Sequence, residues 1–98
     1  MNRTDAILRL RQTEGAVRGM GATALYLFGS TVRDEAQPAS DLDVFIDYDA
    51  DRRFSLLDLV GIKQHLEEEL AVEVDVTTRN SLHPMLRADI EQSAIRVF

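Results

Sequence analysis

The sequence contains no cysteine and no tryptophan, and only two of its 98 residues are proline. The lack of cysteine excludes disulfide bonds and thiolate-bound metals, and it is typical of a protein in a reducing compartment. No segment approaches the roughly 20 apolar residues that a membrane-spanning helix needs. We therefore expect a cytoplasmic protein with no membrane attachment.

Positive charge is also scarce. The chain has 11 Lys and Arg residues against 17 Asp and Glu residues, which gives a formal net charge of -6 at pH 7. Binding to DNA or RNA depends largely on basic side chains that contact backbone phosphates, so a stable complex with nucleic acid is not expected. A single nucleotide that is held through metal ions is compatible with this charge.

The length and composition indicate one domain that spans residues 1–98. Hydrophobic residues make up 45% of the sequence and charged residues 29%. The length is close to the commonest domain size and leaves no room for a second core. A chain of this size buries only about 60 to 70% of the surface of its unfolded form, so binding to a partner would add to its stability.

Hydrophobic periodicity and turn residues predict helices that alternate with strands. A first helix is predicted over residues 4–19 with Thr4 as its N-cap. Ser55, with Asp58 three positions on, resembles a capping box and opens a second helix that ends near Leu70. Strands are predicted at residues 23–28, 41–48 and 72–77, and residues 95–98 can add a fourth. The predicted fold class is α/β: a small mixed β-sheet of three to four strands with helices packed mainly on one face.

Apolar spacing also predicts which side chains the helices bury. The buried stripe of the second helix is predicted to contain Leu56, Leu59, Val60, Leu66 and Leu70. Three apolar residues fall partly off the predicted stripes and are candidates for contact with a partner: Leu8, Leu57 and Ile62.

Two further segments are predicted from turn residues. A short turn or helix is expected at residues 30–34, and Pro38 keeps the loop that follows out of regular pairing. A short helix is expected to begin near Pro84, with Leu86 and Ile90 as its contacts to the core.

The most informative pattern is Gly29-Ser30, followed after ten residues by Asp41-Leu42-Asp43. Apolar runs flank both parts, so both are expected at strand ends. Residues two apart on a strand point to the same side, with backbones roughly 6 to 7 Å apart, so the carboxylates of Asp41 and Asp43 converge. Two such carboxylates repel each other unless a cation lies between them, which indicates a hard divalent ion such as Mg²⁺.

Asp75 can complete this set. Its strand places three valines on one face and Asp75 on the other, and a carboxylate on a central apolar strand costs free energy unless it is paired or metal-bound. If this strand lies beside the strand of Asp43, three aspartates surround one point, which suits two-metal nucleotidyl transfer. Asp75 can also accept the proton of the nucleophile. The structural alternatives are solvated strand-edge charges for Asp41 and Asp43, and hydrogen bonding to loop backbone for Asp75.

The residues around the glycine suit phosphate binding. Gly29 lets the backbone approach a phosphate closely, and Ser30 offers a hydroxyl and backbone N–H groups. Arg33 can neutralise phosphate charge, although a surface pairing with Asp34 or Glu35 is the alternative.

A calcium site of the EF-hand type is a rival interpretation of Asp47, Asp49 and Asp51. The rest of that pattern fails, because Arg52 stands where the sharp turn needs glycine and Asp58 stands where a bidentate glutamate belongs. Residues 47–53 are therefore interpreted as a polar turn after the second predicted strand.

Together these residues resemble the signature of the polymerase-β-type nucleotidyltransferase superfamily, which combines Gly29-Ser30, Asp41-x-Asp43 and an aspartate such as Asp75 in a later strand. Over nearly its whole length the chain is similar to minimal nucleotidyltransferase (MNT) domain proteins of the MntA-like kind. The stretches that carry this similarity beyond the motif are residues 55–60, 74–76 and 84–98.

The resemblance implies an antitoxin that pairs with a HEPN-domain toxin, a ribonuclease. It implies that Mg²⁺, as two ions, and ATP are used to transfer AMP to a tyrosine hydroxyl of that toxin. In this interpretation Asp41, Asp43 and Asp75 are catalytic metal ligands, Asp75 is also the base, and the triphosphate is held by Gly29, Ser30 and Arg33. Asp34 departs from the pattern, because similar sequences often have glycine there, and it changes the charge of the turn.

Two other functions stay open at this stage. A small-molecule nucleotidyltransferase would need a substrate-binding surface, and this chain would have to borrow it from a second subunit because the helical domains of larger relatives are absent from the sequence. A non-catalytic antitoxin would act by binding alone. Substitution of Asp41 and Asp43 separates these possibilities, because neutralisation by binding does not need them.

Overall fold

A computed structural model describes residues 1–33 and 41–98 of the chain. The predicted loop around Pro38 and the departure at Asp34 lie outside the described residues. Within them the chain forms four α-helices and four strands. Their bounds are α1 Arg3–Arg11, α2 Glu14–Gly19, β1 Ala22–Phe28, β2 Leu42–Tyr48, α3 Leu56–Leu70, β3 Val74–Thr78, α4 Arg87–Ser93 and β4 Ile95–Arg96. Two 3₁₀ turns, Gly29–Thr31 and Arg79–Ser81, follow β1 and β3.

The four strands form one mixed sheet in the order β3-β2-β1-β4. β1 pairs antiparallel with β2 and with β4, whereas β2 and β3 are parallel. The predicted α/β class with a sheet of three to four strands is thus confirmed. β3 is an edge strand, so the expectation that Asp75 lies on a central strand is wrong.

The parallel pair is made possible by α3, which crosses from the end of β2 back to the start of β3. Ser55 and Asp58 begin this helix with a reciprocal capping box, as the sequence predicted, and Ala71 ends it in the left-handed conformation at φ 57°. Two α3 side chains then bind the first residue of β3. Glu67 accepts a hydrogen bond from the Val74 N–H at 3.1 Å, and Lys63 donates one to the Val74 carbonyl at 2.6 Å.

Helices α1 to α3 cover one face of the sheet, as predicted. Residues at alternating positions of β2 and β3 face these helices and are buried, and Phe45 on the opposite face of β2 is buried as well. The core formed between the two layers contains Leu25, Leu27, Val44, Ile46, Val74 and Val76 from the strands and Ala6, Leu10, Val17, Ile62, Leu66 and Leu70 from the helices.

The first helix differs from its prediction over residues 4–19, because the structure divides it into α1 and α2. At the break the Thr13 hydroxyl donates to the Leu10 carbonyl at 2.6 Å, a local bond that competes with a continuous helix. The N-cap is Asn2 rather than Thr4, and its side chain accepts from the Asp5 N–H at 2.8 Å. Both corrections concern polar side chains that bond their near neighbours.

The predicted buried stripe of α3 is wrong at its N-terminal end. Leu56 is 74% exposed and Val60 40% exposed, whereas Ile62, which was expected off the stripe, is fully buried. The helix contacts the core through Ile62 and the residues four and eight positions later, so its buried face is rotated from the predicted one. Leu57, at 81% exposure, lies off the core as expected.

The C-terminal segment also differs from its prediction. Pro84 lies in a turn ahead of α4, and Leu86 is 53% exposed, so the prediction that Leu86 anchors this helix to the core is wrong. Ile90 is half-buried. The fourth strand is present as Ile95–Arg96, shorter than the predicted 95–98, and the buried Val97 and Phe98 follow it.

The helices of residues 1–33 and 41–98 are too short or too polar for any of them to cross a lipid bilayer.

Leu66→Ala and Leu57→Ala make the same change at a buried and an exposed position of α3. We expect Leu66→Ala to lower the free energy of unfolding by about 2 to 5 kcal/mol, because it leaves a cavity in the core. Leu57→Ala should change it by less than about 0.5 kcal/mol. Urea denaturation followed by circular dichroism measures both values, and equal losses would contradict the packing described here.

Candidate active site

The glycine of the Gly-Ser pair lies against one of the predicted site carboxylates. Gly29 has φ +80°, and a Cβ atom built on it would lie 2.5 Å from Oδ2 of Asp43. Phe28, the last residue of β1, is the pairing partner of Asp43 on β2. The absence of a side chain at position 29 therefore leaves the space that the Asp43 carboxylate occupies, and the turn Gly29–Thr31 begins directly beside it.

Asp43 and Asp75 are neighbours across the parallel pair of strands. They are register partners between β2 and β3, and neighbouring strands lie about 4.8 Å apart. Asp43 is half-buried, whereas Asp41 and Asp75 are exposed. The parallel ladder thus brings together two aspartates that are 32 positions apart in the sequence.

The electrostatics of Asp43 show that these charges act on one another. The pKa of Asp43 is raised, first by burial and then by the negative charges of Asp75 and Asp41. Arg33 acts in the opposite direction and favours the charged form. The three aspartates and Arg33 therefore share one electrostatic environment next to the Gly29 turn.

The carboxylates of Asp41, Asp43 and Asp75 are the type of ligand that a hard divalent cation such as Mg²⁺ prefers. In the part of the chain that the structure describes, however, no three acidic or histidine side chains already converge as a metal site. Asp41 and Asp75 are exposed and carry the same charge as Asp43, so repulsion favours conformers in which the carboxylates point apart. Their roles as ligands stay a prediction, which requires these two side chains to turn toward Asp43.

Two polar residues at this sheet face form a contact that the sequence analysis did not predict. Asp47 lies in β2, as the predicted strand 41–48 indicated and not in the predicted turn, on the same face as Asp43, and it pairs with Arg79 at 2.8 and 2.9 Å. Alternate residues of a strand point to the same face, so the predicted strand already indicated that Asp47 lies on the face of Asp43. Arg79 had no local signal, because its partner lies 32 residues away and the contact depends on strand register.

The mixed sheet with a glycine turn beside Asp43 is typical of enzymes that transfer nucleotides. The Nucleotidyltransferase domain family matches residues 10–97 of the chain, and the chain belongs to this family.

Two named proteins are among those that the chain resembles in sequence. A protein of Methanocaldococcus jannaschii, named for an inferred protein adenylyltransferase activity, is 43% identical over 77 residues, which are 79% of this chain and 81% of the relative. Protein adenylyltransferase MntA of Thermococcus cleftensis is 33% identical over 78 residues, which are 80% of this chain and 76% of the relative.

Solved structures share the fold. A structure assigned as a minimal nucleotidyltransferase aligns with a TM-score of 0.82 at 33% identity, over 97% of this chain and 95% of that one. A toxin–antitoxin structure with AMP-PNP gives a TM-score of 0.72 at 18% identity, over 90% of this chain and 72% of that one. A complex of tri-AMPylated Shewanella oneidensis HEPN toxin with an MNT antitoxin gives 0.66 at 17% identity, over 95% and 71%. The last two likenesses show the fold alone.

Gly29→Ala tests the contact between the turn and Asp43. The new methyl group would collide with the Asp43 carboxylate, and alanine is strained at φ +80°. We expect a loss of at least about 1 kcal/mol in unfolding free energy together with loss of nucleotide binding. The matched control is Gly61→Ala, since Gly61 lies within α3 and has nothing within 4 Å of a built Cβ. That variant should keep nucleotide binding and gain up to about 1 kcal/mol. Thermal denaturation and calorimetric titration with ATP and Mg²⁺ measure both effects.

Asp43→Asn tests the raised pKa of Asp43. The folded state holds this proton more tightly than the unfolded state, so Asp43 lowers stability as the pH rises from the ordinary aspartate pKa of 3.8 through the raised pKa of the folded state. Without metal, Asp43→Asn should therefore have a higher Tm than the wild type at pH 7, and the difference should vanish below about pH 3.8. The exposed Asp51 supplies the control, because Asp51→Asn should leave the Tm unchanged. A pH-independent difference between Asp43→Asn and the wild type would contradict the assignment.

Proposed function

We propose that this chain is an antitoxin that transfers AMP from ATP to a tyrosine hydroxyl of a cognate HEPN-domain toxin and so neutralises it. The observation that carries the proposal is the register pairing of Asp43 with Asp75 beside the Gly29 turn. The relatives named protein adenylyltransferase and the fold shared with toxin–antitoxin structures support a protein as the acceptor.

The phosphate end of the nucleotide is assigned to the turn after β1. The turn Gly29–Thr31 begins beside the Asp43 carboxylate, and its Ser30 hydroxyl and backbone N–H groups would bind a phosphate there. Arg33 follows the turn and already acts on the charge of Asp43, so it lies where a phosphate charge can be neutralised. Gly29, Ser30 and Arg33 would thus orient the triphosphate with its reacting phosphorus near the aspartates.

The aspartates would carry the chemical step. Two Mg²⁺ ions, held by Asp41, Asp43 and Asp75, would when bound neutralise charge on the attacking and leaving oxygens. The tyrosine oxygen forms a bond to the α-phosphorus of ATP, and the bond between that phosphorus and the pyrophosphate oxygen breaks. Asp75 accepts the proton of the hydroxyl. Its exposure on an edge strand leaves it accessible to a side chain that a second protein presents.

Intact-mass measurement tests this proposal directly. The purified chain is incubated with the HEPN-domain protein encoded beside it, Mg²⁺ and ATP, and we expect the HEPN protein to gain the mass of one or more AMP units. Asp41→Ala combined with Asp43→Ala should reduce the transfer rate by at least about a hundredfold, because even partners outside the ligand shell are worth about 10- to 100-fold. Asp51→Asn, a change in the exposed turn after β2, should leave the rate unaltered.

The same variants separate the remaining functions. Neutralisation of the toxin that persists in the double alanine variant would show an antitoxin that acts by binding alone. Transfer of AMP to a small molecule but not to the HEPN protein would show a different substrate class. A second readout is independent of catalysis: Mg²⁺ with ATP should raise the Tm of the wild type and of Asp51→Asn but not that of the double variant.

A further inference from the structure

Arg79 links three parts of the fold on the open face of the sheet, which we define as the face that carries Asp43, Phe45 and Asp47. Its guanidinium donates two hydrogen bonds to the Asp47 carboxylate, at 2.8 and 2.9 Å. A third hydrogen bond goes to Glu91 on α4. Bidentate pairs of this kind are among the stronger polar contacts in proteins. They require the planar guanidinium of arginine, because lysine cannot donate two parallel hydrogen bonds to one carboxylate.

The same guanidinium lies over aromatic rings of the two central strands. Its central carbon is 4.8 Å from the ring centroid of Tyr26 and 5.0 Å from that of Phe45. The two rings are stacked on each other with centroids 4.8 Å apart. Contacts with the two rings and with the carboxylates of Asp47 and Glu91 therefore fix the Arg79 side chain.

The placement of α4 depends on these contacts more than on apolar packing. None of the α4 residues is buried, and Leu86 directly before the helix is 53% exposed. Glu91 of α4 bonds Arg79 and also accepts from Arg87 at 2.9 Å. Both arginines lower the pKa of Glu91, with Arg79 the larger cause, so the carboxylate stays charged and able to hold them.

The space beside Arg79 is too small to be a nucleotide pocket. A cavity of about 90 Å³ is bordered by Asp47, Tyr48, Arg79 and Asn80, among others, whereas ligand pockets commonly measure about 300 to 1,000 Å³. The Asp47 end of β2 is also four residues from Asp43, a distance of about 13 Å along the strand. Arg79 is therefore positioned to act on the site through α4 rather than by contact with the reacting phosphate.

We propose that Arg79 is a positioning residue that holds α4 on the open face, where α4 forms the docking edge for the acceptor protein. This inference rests on the proposed function, since it assigns the acceptor side of the same site. Asp43 and Asp75 share the open face, and the bond from Arg79 to Glu91 holds α4 over the same face at the Asp47 end, so an acceptor protein that covers this face would contact α4. The turn at Gly29, which would hold the phosphates, lies at the opposite end of β2.

Arg79→Lys is the variant that tests this role. Lysine keeps the positive charge but lacks the planar fork that bonds Asp47 twice and Glu91 once. We expect the KM for the HEPN-domain acceptor to rise by about tenfold, with the dissociation constant for ATP and Mg²⁺ unchanged within about twofold. Amide hydrogen exchange over residues 87–93 should become faster. Glu91→Gln, which leaves Arg79 paired with Asp47 alone, should shift the acceptor KM in the same direction by a smaller factor.

Arg18 offers a matched control. It also combines a carboxylate partner, Glu14 at 2.7 Å, with a ring contact, 5.3 Å from the centroid of Phe98, but both contacts involve elements outside α4. Arg18→Lys should leave the acceptor KM, the ATP affinity and the exchange of residues 87–93 as they are in the wild type.

Three results would overturn the inference. An unchanged acceptor KM in Arg79→Lys while α4 exchanges faster would show that α4 does not guide the acceptor. A parallel loss of ATP affinity would show a general disturbance of the site. Unchanged exchange of residues 87–93 would show that Arg79 does not hold α4.

Calorimetric titration with the HEPN protein in the absence of nucleotide keeps the test separate from the proposed chemistry. If the wild type binds that protein but transfers no AMP, the proposed function fails, whereas a weaker affinity of Arg79→Lys still supports the docking role. An affinity equal to that of the wild type overturns it. A wild type that neither binds nor modifies the HEPN protein overturns both.

Discussion

The parallel pairing of β2 with β3 is the constraint on which the site depends. One register places Leu42 beside Val74, Asp43 beside Asp75 and Val44 beside Val76. The valines face the helices and are buried, so apolar packing fixes this register, and the aspartates are brought together as a consequence. A shift of β3 by one residue would turn its valines to solvent and would move Asp75 away from Asp43. The core therefore determines the geometry of the charged face.

That geometry places like charges close together. Asp43 is half-buried next to two other carboxylates, and its raised pKa records the cost of keeping it ionised. Such a cost is common at functional sites, where side chains are arranged for a ligand rather than for the stability of the isolated chain. The exposed positions of Asp41 and Asp75 let these side chains move apart, whereas Asp43 is confined by the close approach of Gly29.

The sequence was sufficient for what depends on short-range patterns. The capping box of Ser55 and Asp58 and the alternation of valines around Asp75 identified α3 and β3 correctly. The break between α1 and α2 was missed because the bond from Thr13 to Leu10 competes with helical bonding and has no signature in apolar spacing.

The contacts of Arg79 were missed for a different reason. Arginine is a common surface residue, and its partners Asp47, Glu91, Tyr26 and Phe45 come from three separate elements, β2, α4 and β1. Only strand order and register bring them together. For the predicted site residues, spacing indicated the chemistry and the parallel ladder supplied the proximity of Asp43 and Asp75. The arrangement of Asp41 around an ion depends on side-chain rotation, which spacing alone does not determine.

The two side-chain bonds at Val74 have a consequence for how the chain associates. An edge strand offers unpaired backbone groups that can recruit a strand of another molecule, which leads to sheet extension and aggregation. In β3 the outward N–H and carbonyl of Val74 are occupied by Glu67 and Lys63 of the preceding helix. The helix thereby blocks the first rung of an intermolecular ladder on the strand that carries Asp75, while the acidic face of that strand stays open to solvent.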